Sequence, residues 1–413
     1  MSKEYKDITS RQAMDLEDRY GAHNYHPIPV VLSRGEGVFL WSLEGKRYFD
    51  FLSAYSAVNQ GHCHPRLVKI TRDQAGVLTL TSRAFYNNWL GPFEEKMTRL
   101  FGYDKILPMN SGAEGVETAL KLARRWGYDV KKVPPNKAKI IVCENNFHGR
   151  TITIIGFSTD PESRGGFGPF TPGFVVIPYS NPEALRSAID ENTVAFLVEP
   201  IQGEAGVNVP QAGYLKACRE ICTKSRVLMI ADEIQTGLCR TGRMLACEHE
   251  NVRPDILILG KALSGGFMPV SAVLADDEIM LTIKPGQHGS TFGGNPLACR
   301  IAMEAMDILI EEKLADNAAK MGEIFRSELS KINSPMIKAI RGKGLLNAMV
   351  IEPFKVKGDT KTAWDVCLVL AENGLLAKPT HDHIIRFAPP LVITKEQINE
   401  CVDIINRTLQ HFA

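Results

Sequence analysis

No run of apolar residues in this sequence is long enough to cross a bilayer. The longest, such as Val227–Ala231, fall far short of the roughly 20 residues a spanning helix needs. An excess of charge is also missing. Lys and Arg number 48 and Asp and Glu 47, a formal net charge of +1, which argues against nucleic acid or an anionic membrane as a partner. No two of the nine cysteines form a CxxC pair, and neither Cys218 nor Cys222, four apart in a helical stretch, has a histidine nearby at a zinc spacing. An odd, scattered set of this kind reads as free thiols in a reducing compartment, with no metal site. The glycine fingerprint GxGxxG and the P-loop are both lacking, which disfavours dinucleotide and nucleoside-triphosphate chemistry. The segment Met1 to Arg19 has no apolar core and carries Glu4, Asp7, Asp15, Glu17 and Asp18, so it reads as neither a secretory signal nor a basic transit peptide. A cytosolic location is the expectation. Repeats and low-complexity tracts are not visible.

What is present is an ordinary globular composition: 44% hydrophobic and 23% charged residues over 413 positions, enough chain for two or three domains. Short runs rich in β-branched residues, without strict alternation, predict strands at Ile140–Cys143, Phe174–Ile177, Val194–Val198, Val227–Ala231 and Ile256–Leu259, with Met268–Leu274 as a further candidate. Helical stretches between them, near Gly115–Trp126, Pro182–Asp190 and Gly213–Ser225, give the strand–helix alternation of an α/β domain. Earlier in the chain, Gly37–Leu40 and Lys46–Asp50 flank the turn Glu44-Gly45 as a hairpin. Later, Pro296–Lys313, Ala315–Lys331 and Lys395–Gln410 read as helices. Leu345–Ile351, Gly374–Ala377 and Ile384–Phe387 read as one small sheet. The expectation is a large α/β domain over 54–316 and a smaller α+β domain built from both chain ends, 1–53 and 317–413.

Three local features carry chemistry. First, the apolar run from Leu228 ends in Asp232 and Glu233, which places Asp232 at the carboxyl end of a strand. A buried carboxylate there needs a cationic partner; the plainer reading is a helix cap or surface ion pair. Second, the run Ile256–Leu259 delivers Lys261 into the glycine-rich turn Ser264-Gly-Gly266. Most lysines are simply solvated, but one placed directly after a buried strand is open to desolvation and a lowered pKa, as a Schiff-base lysine requires. Third, Ser111 and Glu114 have capping-box spacing at a helix start, with Gly112 between them allowing a ligand near the backbone. Such a helix start suits a phosphate, or is simply a well-capped helix. Together, a phosphate cradle, a strand-end Asp and a strand-end Lys are the groups that pyridoxal 5'-phosphate requires.

The chain resembles the class III (omega) aminotransferases of fold type I, and within them the branch that acts on ornithine. The likeness runs from about Tyr20 to Phe412. It rests on Tyr20-Gly-Ala-His-Asn-Tyr-His-Pro27, Tyr55-Ser-Ala-Val-Asn-Gln-Gly-His62, Glu199-Pro-Ile-Gln-Gly-Glu-Ala-Gly206, Ala231–Gly237, Gly260–Gly266, His288-Gly-Ser-Thr-Phe-Gly-Gly-Asn295 and Ile385-Arg-Phe-Ala-Pro-Pro390. The resemblance implies a mostly parallel seven-stranded sheet flanked by helices, and pyridoxal phosphate as cofactor. It implies Lys261 as the Schiff-base lysine, Asp232 as partner of the pyridine nitrogen and Gln235 as donor to the phenolic oxygen. Phe147 and Ile234 would cover the two ring faces, and Ser111, Gly112 and Ala113 would cradle the phosphate. Thr291 and Ser290 would reach the phosphate of a neighbouring subunit, which implies a homodimer with shared sites. His148 stands where animal members carry Trp. The first residues fall near where mature mitochondrial members begin, which makes the mitochondrial matrix the alternative location if a leader has been removed.

The resemblance also implies transfer of the δ-amine of L-ornithine to 2-oxoglutarate in a ping-pong cycle, giving glutamate 5-semialdehyde and glutamate. Arg150, helped by Tyr55, would hold the α-carboxylate of ornithine, and Tyr25 its α-amine end. Arg386 would hold the carboxylate of 2-oxoglutarate, and Glu204 would pair with Arg386 during the ornithine half-reaction; a structural ion pair is the plainer reading of Arg386. Competing readings are the sister activities on acetylornithine or γ-aminobutyrate, a non-catalytic protein of the same fold, and an oxidoreductase.

Overall fold

A computed structural model describes residues 7–356 and 358–412; Glu4, and with it the start of the 1–53 segment and the last residue of 317–413, lies outside them. The central element is a seven-stranded sheet. Its strands are β1 (Lys105–Met109), β2 (Lys139–Cys143), β3 (Phe174–Ile177), β4 (Thr193–Val198), β5 (Leu228–Asp232), β6 (Ile256–Leu259) and β7 (Ser271–Ala275), in the spatial order β1-β7-β6-β5-β4-β2-β3. Strands β2 to β6 are mutually parallel. Strand β7 runs antiparallel to both its neighbours, β6 and β1, so the sheet is mixed.

The apolar runs become strands because both of their faces are covered. Every residue of β4, β5, β6 and β7 is buried. On one face the helix Gly112–Asp129 packs Val116, Ala119 and Ala123 against Ile140, Val194 and Ile258. On the other, the helix Tyr214–Ser225 packs Leu215, Cys218 and Ile221 against Ile141, Phe196 and Met229. At roughly 25 cal/mol per Å2 of apolar surface, burial on two faces outweighs the modest strand propensity of such short runs.

Of the strands in this sheet, β1 is the one that the sequence does not predict. It contains Pro108, sits at the edge of the sheet and is only half covered. Proline is tolerated there because an edge strand has one side without ladder partners.

The helices Pro296–Glu311 and Leu314–Leu329 lead out of this layer. An antiparallel sheet follows in the order Ile337–Lys343, Leu346–Ile351, Ile384–Phe387, Lys378–Thr380. The N-terminal strands Leu32–Glu36, Phe39–Ser42 and Arg47–Asp50 form a separate sheet. One expectation needs correction here. The segments at 374–377 and 384–387 do not share a sheet, because Leu375–Leu376 pairs in parallel with Phe49–Asp50. Leu375 is fully buried in the core cluster that also contains Phe49, and this long-range contact decides its sheet.

Arg240 is fully buried without a carboxylate partner. Its guanidinium donates to the carbonyls of Leu345 (3.0 Å) and Pro389 (2.6 Å) and to Oδ1 of Asn59, joining three distant segments. Among the described residues no helix is long and apolar enough to cross a membrane, and no group of three or more His, Cys, Asp or Glu is placed to hold a metal.

Candidate active site

At the carboxyl ends of the parallel strands lies a cavity of about 200 Å3. Gly112, Ala113, Phe147, His148, Glu204, Asp232, Ile234, Gln235 and Lys261 are among the residues that line it. Ligands in open α/β sheets bind at this edge. Asp232 closes β5, so the strand itself carries the carboxylate to the cavity. Its Oδ1 accepts the N–H of Ile234 at 3.1 Å, which fixes the turn that follows. Its Oδ2 lies 2.7 Å from Nδ1 of His148. Both side chains are buried, so this is no surface ion pair, and a turn rather than a helix follows Asp232, so it is no helix cap. Burial alone would lower the His148 pKa, but the hydrogen bond and charge of Asp232 outweigh it and raise the value. Nε2 of His148 is buried without a partner.

Glu199 also lines the cavity. Its Oε1 accepts the backbone N–H of Phe147 at 2.9 Å. Desolvation pushes its pKa up to about 7, with His148 opposing and Asp232 reinforcing the shift. The sequence motif contained Glu199, but no residue type nearby in the chain signals its burial beside His148.

Lys261 follows β6 and Gly260 and takes a left-handed backbone conformation, φ 45°. Such strain in a residue with a side chain is characteristic of functional positions. Burial lowers its pKa, the carboxylates of Glu204 and Asp232 oppose that, and Arg386 adds to it. The buried Oε1 of Gln235 has no partner in the protein, while its Nε2 reaches Oε1 of Glu204 at 3.5 Å.

At the helix start, Ser111 Oγ accepts the N–H of Glu114 (3.2 Å), and Glu114 accepts those of Asn110 and Ser111 (both 2.8 Å). The capping box therefore leaves the first-turn N–H groups of Gly112 and Ala113 aimed off the helix end. Ile234 packs directly over Gly112, where a methyl group would meet its Cδ1 at 3.0 Å.

At the outer side, Nη1 of Arg386 donates to Oε1 of Glu204 at 2.7 Å, and the Tyr55 ring centroid lies 5.2 Å from the guanidinium carbon. Arg386 is buried, and its Nε lacks a partner. Desolvation would raise the Glu204 pKa, but Arg386 and Lys261 together lower it. Burial raises the Tyr55 pKa, with weaker effects from Arg386, Glu204, Tyr25 and Arg150. Arg150 is exposed, its guanidinium carbon 5.7 Å from the Phe147 ring centroid, and Tyr25 is 69% exposed, its ring 5.6 Å from the Lys378 amine. Ser290 and Thr291 are not brought into this cavity. Ser290 Oγ instead accepts from Asn110 Nδ2 at 2.9 Å, and Thr291 is exposed.

Phe147 and Ile234 in the cavity wall, the side-chain amide of Gln235, a carboxylate held by a buried imidazole and two helix-terminal N–H groups suit a planar, phosphorylated pyridine. These features fit the cofactor that the sequence implied.

The chain belongs to the class III aminotransferases: the family model "Aminotransferase class-III" matches residues 20–409. Its relatives are more specific. A Drosophila melanogaster protein named mitochondrial ornithine aminotransferase is 63% identical over 394 residues, covering 95% of this chain and 90% of that one. The crystal structure of ornithine aminotransferase from Toxoplasma gondii superposes with a TM-score of 0.96 at 49% identity, covering 99% of this chain and 96% of the other. An acetylornithine aminotransferase structure from Elizabethkingia anophelis gives a TM-score of 0.89 at 58% identity, covering 98% and 100%. Class III aminotransferases use pyridoxal phosphate.

Proposed function

We propose that the protein is an L-ornithine δ-aminotransferase with 2-oxoglutarate as acceptor. The observation that carries this reading is the 2.7 Å pair between Arg386 and Glu204 beneath Tyr55. A site that first accepts ornithine by its δ-amine must hide the cation that later binds the α-carboxylate of 2-oxoglutarate. Glu204 neutralises Arg386 in the first half-reaction and releases it in the second. Arg150 and Tyr55 hold the α-carboxylate of ornithine away from the reacting carbon, and Tyr25 meets the α-amine end.

When bound, pyridoxal phosphate supplies the electron sink that acidifies the amine-bearing carbon. Gly112 and Ala113, with Ser111, would hold its phosphate; Asp232 would keep the proton on its ring nitrogen; Gln235 would donate to its ring oxygen; Phe147 and Ile234 would cover the ring. Lys261, whose lowered pKa enlarges the neutral fraction, accepts the proton from the δ-carbon of the substrate at Nζ.

We further propose a homodimer in which Ser290 and Thr291 complete the partner's phosphate site, a division of the chain at 53/54 and 316/317, and a cytosolic or mitochondrial-matrix location. The division is supported by the pairing of Leu375 with Phe49. The matrix alternative is supported by the name of the Drosophila relative.

The Elizabethkingia structure favours one second reading, acetylornithine as donor. A panel of ornithine, acetylornithine, γ-aminobutyrate and lysine, each with saturating 2-oxoglutarate, tests both. Ornithine is expected to have the highest kcat/KM and to yield glutamate 5-semialdehyde; a higher value for acetylornithine overturns the first reading.

A further inference from the structure

Tyr55, which the proposed function places in substrate recognition, stands on an unusual stretch of backbone. Ser53, Ala54, Tyr55 and Ser56 have φ values of 48°, 48°, 60° and 71°, and none of the four is glycine. Four successive left-handed residues with side chains are strained, so something nearby must hold them. The serine hydroxyls do not, because Oγ of Ser53 and Oγ of Ser56 are buried without partners among the described residues.

Backbone bonds from the N–H groups of Tyr55 and Ser56 to the Leu52 carbonyl close the turn, and Asp50 anchors its entrance. It ends the strand Arg47–Asp50 and is 3% exposed. Its Oδ1 accepts the N–H groups of Leu52 (2.9 Å) and Ser53 (2.8 Å), at the entrance to the strained run. Its Oδ2 lies 2.6 Å from Nε2 of His62. The position of His62 is itself set, since its backbone exchanges hydrogen bonds with Gly37 at 2.8 and 3.0 Å. The carboxylate therefore spends one oxygen on the turn and the other on an imidazole anchored to a different loop. Neither Asp50 nor His62 lines the cavity.

We propose that Asp50 and His62 are positioning residues for substrate selection: they lock the left-handed turn 53–56 and so set the Tyr55 ring against Arg386. The proposal rests on the role given to Tyr55 above. Losing the lock lets the turn relax toward ordinary backbone angles and carries the phenol away from the guanidinium. Because the chemistry at Lys261 is untouched, the effect falls on recognition.

The test compares His62→Ala, Asp50→Asn and Tyr55→Ile with the wild-type holoenzyme, using ornithine and γ-aminobutyrate as donors. Visible absorbance of the bound cofactor reports an intact fold. Ornithine KM is expected to rise about tenfold in the first two variants while kcat stays within about threefold. Both should shift preference toward γ-aminobutyrate, in the same direction as Tyr55→Ile. Adding His62→Ala to Tyr55→Ile should change ornithine KM by less than about twofold, because both act through one ring. A Tyr55→Ile enzyme with wild-type preference removes the reading on which the proposal rests. Wild-type preference in both His62→Ala and Asp50→Asn, beside a shifted Tyr55→Ile, overturns the positioning role alone. Independent, multiplying effects in the double variant also overturn it. If Asp50→Asn does not fold, His62→Ala decides, since its ring is partly solvent-exposed and its loss opens only one end of the brace.

Discussion

At the residue scale, Lys261 and Glu199 show how burial divides the work of charged groups. Lys261→Ala should reduce δ-amino transfer to background and leave no cofactor fixed to the protein by borohydride; turnover near the wild-type rate would remove Lys261 from the mechanism. Glu199 makes a prediction of a different kind. Its folded pKa of about 7 lies above the ordinary 4.5, so between those values the folded chain binds the extra proton and the unfolded chain does not. That contribution is present below the unfolded pKa and is lost as pH rises through about 7. The raised pKa of His148 acts in the same direction. The melting temperature of the cofactor-free protein should therefore fall as pH climbs through this window, and Glu199→Gln should flatten that fall. An equally steep decline in the variant would mean that Glu199 is not the group responsible.

At the scale of elements, close approach governs the site. A methyl group on Gly203 would collide with the amide oxygen of Gln235. Gly203→Ala is expected to push Gln235 out of the cavity and weaken cofactor binding about tenfold, the lower end of what overpacking costs. A cofactor titration followed by visible absorption measures this, and an unchanged midpoint would separate Gln235 from the cofactor. The same scale shows why some elements were legible in the sequence and others were not. Asp232 and Lys261 stand out because an apolar run leads into each one. The capping box from Ser111 to Glu114 spans four residues and is readable because its signal is local. By contrast, the contact of His148 with Asp232 spans 84 positions, and no local pattern announces it. Leu375–Leu376 is two residues long and takes its sheet from Phe49–Asp50 at the other end of the chain. The edge strand Lys105–Met109 carries a proline that normally argues against a strand.

For the whole molecule, near-zero net charge combines with large exposed apolar side chains. Val77, Phe85, Tyr86, Leu281 and Phe292 are each at least half exposed. Single exposed apolar residues are common, but Phe292 adjoins Ser290 and Thr291, the residues proposed to complete a partner's phosphate site. Light scattering of the holoenzyme should therefore give twice the 45.7 kDa chain mass. Phe292→Asp should lower that mass and weaken cofactor retention together, whereas a full-activity monomer would end the shared-site reading.

Strand order has a further consequence for how the chain is born. Strand β1, which leads into the helix Gly112–Asp129, pairs among the described residues only with β7, and β7 emerges from the ribosome after every other strand of the sheet. Throughout that interval β1 has no ladder partner, and pairing between segments so far apart in the chain is slow to form. Proline at position 108 interrupts the row of free amides that another nascent chain would otherwise join. The residue that obscured the strand in the sequence thus shields it during synthesis, until Ser271 arrives opposite Met109 and the ladder can form.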